Sequence, residues 1–211
     1  MKTKWPLPQF QKSQSQDTRA PKPSFSKQVM EHEAKPQFDA KGDSALLGKK
    51  ILLGVSGGIA AYKAALLVRL LVKAGATVRV VMTDAAKDFI TPLTLATLSK
   101  NPVECGLFDA NSGVWTNHVE LGLWADLFVI APATASTISK AAHGQSDSLL
   151  LTTYLSARCP VLWCPAMDLD MYAHPATQAN LTLLTSYGDH VLEAESGELA
   201  SGLDGDRKSV V

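Results

Sequence analysis

From Lys49 onward, short apolar runs alternate with segments of helical periodicity, and this alternation constrains the fold more than any other feature of the sequence. The predicted strands are KILLGVS, TVRVVMT, ADLFVIAP, PVLWCPA and HVLEA. The predicted helices are Ile59–Lys73, TPLTLATLS, TASTISKAAHG, SLLLTTYLSA and HPATQANLTLLTSYG. Apolar strands joined by helices favour a parallel sheet covered on both faces. The sequence therefore predicts a doubly wound α/β domain.

The first predicted helix, Ile59–Lys73, follows the first strand directly. Within it, Ile59, Tyr62, Leu66 and Leu70 recur at helical spacing. These four side chains are predicted to form one apolar face of the helix.

The composition is typical of a folded chain whose surface has no strong electrostatic field of one sign. Of the 211 residues, 46% are hydrophobic, and 20 basic side chains balance 20 acidic ones. Such a balance gives no attraction to nucleic acid or to an anionic membrane. No apolar run approaches the roughly 20 residues that a spanning helix needs. The three cysteines, Cys105, Cys159 and Cys164, are typical of reduced, mostly buried thiols, so we expect a cytoplasmic protein.

Residues 1–48 differ in composition from the rest of the chain. They are rich in Lys, Gln, Ser and Pro, and they show no sustained helical or alternating period. A segment of this kind buries too little apolar surface to offset the entropy of ordering it. We interpret residues 1–48 as a disordered polar extension, with a docking arm as the alternative, and residues 49–211 as one folded domain.

The stretch GVSGGIAAYK ends the first strand and opens the first helix. Gly57 and Gly58 permit close approach of a ligand to the backbone, the helix start offers free N–H groups, and Ser56 adds a hydroxyl donor. The spacing is neither G-x-G-x-x-G nor that of a nucleoside-triphosphate loop. A monophosphate suits this turn, although a plain strand-to-helix connection is the alternative.

Hydroxyl side chains follow two other predicted strands. Thr83 ends the second strand, and Thr134, Ser136 and Thr137 follow a later one. Any one of them could simply cap a helix. Because the ends of parallel strands meet at one edge of a sheet, their recurrence indicates a polar, uncharged ligand such as a flavin with its ribityl hydroxyls and phosphate.

Three motifs carry a resemblance to a known family. GVSGGIAAYK, TNHVELGLWADLFVIAPATAST and PAMDLDMY together resemble the flavin-dependent cysteine decarboxylases, which include the phosphopantothenoylcysteine decarboxylases of coenzyme A biosynthesis. The similarity covers about residues 49–206. It implies a Rossmann or flavodoxin-like flavoprotein domain with FMN as its cofactor.

The resemblance also implies residue roles. His118 matches the catalytic histidine, Met167 and Asp168 fall at the substrate position, and residues 194–211 correspond to a flap that includes Ser201. Contacts to FMN are implied for Gly57, Gly58, Ile59, Thr83, Thr134, Ala135, Ser136, Thr137 and Ala166, beside the hydroxyl of Ser56. No metal is implied, because the remaining histidines lack the spacing of metal ligands.

The implied reaction is the decarboxylation of 4′-phosphopantothenoylcysteine to 4′-phosphopantetheine in a homotrimer or a multiple of it. The flavin supplies the electron sink that a C-terminal cysteine lacks, and His118 suits the accompanying proton transfer because imidazole titrates near neutral pH. Trp115 and Trp124, on either side of the predicted histidine loop, are interpreted as core or subunit-contact residues.

The sequence departs from the family pattern at several positions. Asp168 and Ser136 stand where asparagine is common, and Ser201 stands where the flap usually has a cysteine. A hydroxyl is a far weaker acid than a thiol, so this flap predicts impaired turnover. The alternatives are a related peptidyl-cysteine decarboxylase, a flavin prenyltransferase, and a non-catalytic flavoprotein regulatory subunit.

Overall fold

A computed structural model of the chain describes residues 45–108, 113, 115–192, 195–198 and 204–207. Nearly all of the predicted extension, most of the predicted flap, and Ser201 lie outside the described residues. Residues 45–48 form a turn in which the Gly48 N–H donates to the Gly75 carbonyl, at 3.0 Å, and Leu46 packs on the core.

Six parallel strands form the central sheet in the order β3-β2-β1-β4-β5-β6. The strands are β1 Lys50–Val55, β2 Thr77–Met82, β3 Val103–Glu104, β4 Leu127–Ala133, β5 Val161–Pro165 and β6 His190–Val191. The predicted doubly wound parallel sheet is confirmed. Two further strands, β7 Glu195–Glu198 and β8 Asp204–Arg207, pair antiparallel within the predicted flap segment.

Helices cover both faces of the sheet. They are α1 Ala64–Lys73, α2 Pro92–Ser99, α3 His118–Trp124, α4 Ala135–Ala142, α5 Leu149–Ser156, α6 Leu169–Ala173 and α7 Pro175–Ser186, with 3₁₀ turns at Ile59–Lys63 and Asp84–Asp88. α1 and α2 pack on one face, and α3, α4, α5 and α7 pack on the other. The two sides follow from right-handed crossovers, because the chain moves one way along the sheet from β1 to β3 and the other way from β4 to β6.

The core consists of two layers that share the strands. Along β1, Leu53 faces the cluster under α1 and α2, whereas Leu52 faces the cluster under α4 and α5. Phe128 and Trp163 fill the second layer and are fully buried. Since strand side chains alternate between faces, nearly continuous apolar runs are what a sheet covered on both sides requires.

The first predicted helix differs in its start and in its buried face. Residues 59–63 form a 3₁₀ turn, and the α-helix begins only at Ala64. Ile59 and Tyr62 are 61% and 59% exposed, and Leu66 is also exposed. The buried face consists of Ala61, Ala64, Leu67 and Val68. Both stripes have helical spacing, and the small alanines let the helix lie close to the sheet.

The histidine segment was predicted as a loop, and this prediction was wrong: residues 118–124 form helix α3. The sequence held a signal for it. Asn117 precedes Glu120 by three residues, and the Asn117 side-chain oxygen accepts a hydrogen bond from the Glu120 N–H at 3.1 Å. Asn117 is therefore the N-cap of α3. The two-residue strand β3 and the five-residue helix α6 were also not predicted, since elements this short carry no measurable period.

Candidate functional site

The sheet reverses its winding between β1 and β4, and the turns that follow these strands carry most of the predicted site residues. At such a switch point the loops diverge to opposite faces, leaving a crevice at the carboxyl ends of the strands. The Ser56–Ile59 turn follows β1, and the segment 134–137 follows β4. Thr83 ends β2 on one side, and Ala166 follows β5 on the other.

The two glycines of the β1 turn are held between the neighbouring loops. A Cβ on Gly57 would lie 2.5 Å from the Ala85 Cβ and 2.7 Å from the Ala85 carbonyl carbon. A Cβ on Gly58 would lie 3.0 Å from the Thr134 Cγ2. Glycine at these two positions therefore lets the loops after β1, β2 and β4 pack together, in addition to letting a ligand approach the backbone.

Hydroxyl groups join the β1 and β4 turns. Ser56 is fully buried; its Oγ donates to the Pro132 carbonyl at 2.6 Å and accepts from the Thr134 N–H at 3.0 Å. Thr134 Oγ1 lies 3.1 Å from Thr137 Oγ1. The two bonds of Ser56 connect residues more than 70 positions apart in sequence and fix the two turns relative to each other.

Helix α4 begins at this edge without a side-chain cap. Thr134 occupies the N-cap position, but its hydroxyl interacts with other hydroxyls and caps no backbone group. The first N–H groups of a helix have no partner within the helix. Within the described part of the chain, those of Ala135, Ser136 and Thr137 have no acceptor and can bind one, and the partial positive charge of the helix start favours an anionic acceptor.

A buried polar atom without a partner lies at the end of β2. Thr83 Oγ1 is enclosed and makes no hydrogen bond to any residue the structure describes. Leaving a buried hydroxyl unpaired is unfavourable unless a ligand or water completes it. Thr83 is one of the residues predicted to contact the cofactor, and its hydroxyl is available for that contact.

The end of β5 adds the predicted substrate positions to the same edge. The Ala166 N–H donates to the Ala133 carbonyl at 3.0 Å, which ties the end of β5 to the end of β4. Met167 is half-buried, and Asp168 is exposed at the N-cap position of α6 without capping it. Among the residues that the structure describes, the Asp168 carboxylate has no partner and can face a ligand.

His118 opens helix α3, on the sheet face that also carries α4 and α5. Its Nδ1 is buried and has no hydrogen-bond partner within the described part of the chain. The Trp115 ring lies 5.8 Å away, tilted by 52°. Trp115 itself is exposed and so is not a core residue; its role in a subunit contact stays a prediction.

Two contacts hold α3 in place. Gly122 packs so closely on α5 that a Cβ there would lie 2.9 Å from the Ser156 carbonyl oxygen. At the outer side, the Arg79 guanidinium lies 5.4 Å from the Trp124 ring centroid and 3.7 Å from a Glu120 carboxylate oxygen. The approach of α3 to α5 therefore sets where the imidazole lies.

The thiols do not form a reactive set. Burial raises the pKa of Cys164 to about 11 and also raises the pKa of Cys105 and of Cys159. They are protonated at neutral pH and so are weak nucleophiles. Among the residues the structure describes, no three metal-binding side chains cluster, and no helix is both long and apolar enough to cross a membrane.

A cavity of about 470 Å³ lies at the opposite edge of the sheet, where the strands begin. Tyr154, Arg158, Cys159, Tyr187 and Asp189 contribute to its lining. The Asp189 carboxylate accepts from the Tyr154 hydroxyl at 2.7 Å and from the Trp163 indole N–H at 2.9 Å. None of the predicted site residues belongs to this cavity.

The carboxyl edge thus combines close backbone approach, an uncapped helix start and an unpaired hydroxyl, which fit a polar ligand with a phosphate. Comparison with known proteins agrees. Residues 40–208 match the family model described as Flavoprotein, and the chain belongs to this family. The sequence-based resemblance is thereby confirmed at the level of the family.

Relatives at about half identity lie among coenzyme A biosynthesis proteins. The chain is 51% identical over 158 residues to the bifunctional protein CoaBC of Vibrio cholerae, covering 75% of this chain and 40% of that protein. It is 66% identical over 116 residues to a cysteine/cysteine sulfinic acid decarboxylase of an unknown prokaryotic organism, covering 55% of this chain and 32% of that protein. The chain therefore spans only about a third to two fifths of these relatives.

Solved structures share the fold over most of their length. The FMN-dependent cysteine decarboxylase SpaF superposes with a TM-score of 0.67 at 34% identity, covering 77% of this chain and 92% of that one. A PPC decarboxylase mutant complexed with pantothenoylaminoethenethiol gives a TM-score of 0.66 at 30% identity, covering 76% of this chain and 90% of that one.

Proposed function

We propose that this chain is an FMN-dependent decarboxylase that converts 4′-phosphopantothenoylcysteine to 4′-phosphopantetheine in coenzyme A biosynthesis. The observation that carries the proposal is the carboxyl edge of β1, β2 and β4, where α4 starts without a side-chain cap and the buried Thr83 hydroxyl has no partner among the described residues. The identity to CoaBC proteins and the likeness to a PPC decarboxylase support the substrate.

The residues of this edge suit FMN. The glycine turn at Gly57 and Gly58 and the start of α4 offer N–H groups to a phosphate, and Thr83 offers a hydroxyl to the sugar chain or the ring. Contacts to FMN are also proposed for Ile59, Thr134, Ala135, Ser136, Thr137 and Ala166. When bound, the flavin supplies a two-electron acceptor that oxidises the thiol-bearing carbon and later returns the electrons, so the net change is loss of carbon dioxide.

His118 is the proposed acid–base residue. An imidazole exchanges a proton near neutral pH, and its place at the start of α3 leaves Nδ1 without a partner in the described part of the chain. Asp168 and Met167 are proposed to contact the substrate, and Ser201 to act from the flap. Because a serine is a weaker acid than a cysteine, we propose that turnover is slower than with a cysteine flap.

We propose that the protein works in the cytoplasm as a homotrimer or a multiple of it, with the site between subunits. Large apolar side chains near the site edge support an interface there. Ile59, Tyr62, Leu66, Trp115, Val119 and Leu123 are all exposed in the single chain. The first three lie along the 59–73 segment on one face of the sheet, and the last three lie at α3 on the other face. Exposed apolar side chains of this size are typical of surfaces that partner subunits cover.

The test is incubation of the FMN-loaded protein with 4′-phosphopantothenoylcysteine, followed by mass analysis of the product and detection of carbon dioxide. We expect 4′-phosphopantetheine, and we expect His118→Asn to retain FMN but to lose turnover. The matched control is His143→Asn, since His143 lies at the far end of α4. Free cysteine and a peptide ending in cysteine, run in parallel, distinguish the related decarboxylases. A yellow protein that converts none of the three substrates would contradict the proposal and favour a regulatory flavoprotein subunit.

A further inference from the structure

We propose that Ser56 is a positioning residue, which fixes the β4 turn against the β1 turn so that the start of α4 is held open for the cofactor. This refines its sequence-based role as a hydroxyl donor to the phosphate. The inference rests on the proposed flavin site, but its key hydrogen bond can be tested without any cofactor.

The hydroxyl of Ser56 has no donor left for a ligand. Its single proton points to the Pro132 carbonyl, at 2.6 Å, and the Ser56 backbone N–H donates to the same carbonyl at 3.3 Å. A lone pair of the same Oγ accepts the Thr134 N–H at 3.0 Å. The side chain is fully buried between the two strand ends. A group that is enclosed and already satisfied in this way orients the backbone around it.

The bond to Thr134 replaces an ordinary helix cap. Thr134 stands at the N-cap of α4, where a threonine hydroxyl would normally accept an N–H of the first turn. Here Thr134 Oγ1 lies 3.4 Å from Ser56 Oγ and 3.1 Å from Thr137 Oγ1 instead. The Ser56–Thr134–Thr137 hydroxyls therefore form one chain that leaves the first-turn N–H groups of α4 uncapped.

Ser56 thereby holds the β4 turn in the conformation that binds the cofactor before the cofactor arrives. Without its hydroxyl, the Thr134 N–H would lose its partner in a buried place, and the Pro132 carbonyl would keep only the longer bond from the Ser56 backbone N–H. The β4 turn would then relax to recover a partner for the Thr134 N–H. The relaxed turn would have to be reordered on binding, which lowers affinity. Loss of Ser56 should therefore weaken cofactor binding although Ser56 donates nothing to the cofactor.

The experiment compares Ser56→Ala, Ser56→Cys and wild type in two measurements. Hydrogen exchange of the Thr134 amide is followed by NMR in the cofactor-free protein, and the Kd for FMN is measured by quenching of flavin fluorescence. We expect Ser56→Ala to speed exchange of this amide and to raise the Kd, each by about tenfold. Ser56→Cys, with a weak donor and acceptor of similar size, should lie between. Thr153→Val is the matched control, because the Thr153 hydroxyl is also buried but has no partner among the described residues.

The outcomes separate the two proposals. Unchanged exchange of the Thr134 amide in Ser56→Ala overturns the positioning role, whatever happens to FMN. Faster exchange with an unchanged Kd overturns its link to the cofactor. A Kd that rises equally in Thr153→Val shows a general loss of stability and also counts against it. If wild type fails to bind FMN, the proposed function fails, while the exchange measurement still reports on the hydrogen bond.

Discussion

Replacing Gly57 by alanine tests how tightly the loops of the site are packed. The new Cβ would lie 2.5 Å from the Ala85 Cβ, and 2.7 and 2.8 Å from the Ala85 carbonyl carbon and oxygen. Non-bonded carbon atoms approach to about 3.5–4.0 Å, so one loop must move by roughly 1 Å. Two of the three close atoms belong to the backbone and cannot rotate away.

The expected cost follows from this overlap. Overpacking of this kind costs about 1–3 kcal/mol, and a loss of about 2 kcal/mol lowers the Tm of a domain this size by roughly 4–8 °C. Because the loop that moves carries the proposed phosphate contacts, we also expect the Kd for FMN to rise by about tenfold, which corresponds to about 1.4 kcal/mol. Thermal unfolding of the cofactor-free protein and a flavin titration measure the two effects separately.

Two variants serve as controls for Gly57→Ala. Gly144 has a φ of 66° at the far end of α4 with nothing within 4 Å of an added Cβ, so Gly144→Ala should cost about 1–2 kcal/mol in strain and leave FMN binding unchanged. Adding Ala85→Gly to Gly57→Ala should recover only part of the loss, since the carbonyl of residue 85 remains. A Gly57→Ala protein with the Tm and FMN affinity of wild type would refute the packing argument.

Two further predictions concern α3 and the buried thiol. In Gly122→Ala the new Cβ would lie 2.9 Å from the Ser156 carbonyl oxygen, so α3 should move from α5. Alanine has the higher helix propensity, so the net loss in the free energy of unfolding should be only about 1 kcal/mol. Because His118 moves with α3, we expect kcat to fall about tenfold while the FMN affinity is unchanged. A kcat equal to that of wild type would contradict this. For Cys164, burial raises the pKa from 9.0 to about 11, so the folded state holds this proton more tightly. The stability gained from this proton is complete below pH 9. Between pH 9 and pH 11 the free energy of unfolding then falls by roughly 1 kcal/mol per pH unit. Urea unfolding against pH should show this extra slope in wild type and not in Cys164→Ala.

The fold follows closely from local patterns in the sequence. The runs that became β1, β4 and β5 are apolar on both faces, and β2 is apolar apart from Thr77 and Arg79. Pro175 begins α7 and Gly188 follows its end, at the two ends of the predicted helix HPATQANLTLLTSYG. These signals are local, because strand alternation, helix-start prolines and helix-end glycines depend on neighbours within a few residues. The missed α3 also had a local signal, the N-cap formed by Asn117 and Glu120.

The buried face of the first helix shows where local patterns are ambiguous. The stripe with Ile59, Tyr62 and Leu66 and the stripe with Ala61, Ala64 and Leu67 are both apolar at helical spacing. Which stripe is buried is decided only where α1 packs on the sheet beside α2, which lies beyond β2 in the sequence. The larger side chains of Ile59, Tyr62 and Leu66 are exposed in the single chain.

The sequence by itself determined the α/β alternation, the family, and the residue types that a phosphate-bearing cofactor needs at the strand ends. Only the tertiary structure decided what each of them does. Ser56 looked like a donor to a ligand, but its proton goes to Pro132, 76 positions away. Gly57 was predicted to let a ligand approach the backbone, and its missing side chain also leaves the space that Ala85 occupies. Hydrogen-bonding capacity is a property of a residue, whereas the partner that uses it depends on which distant strands the sheet brings together.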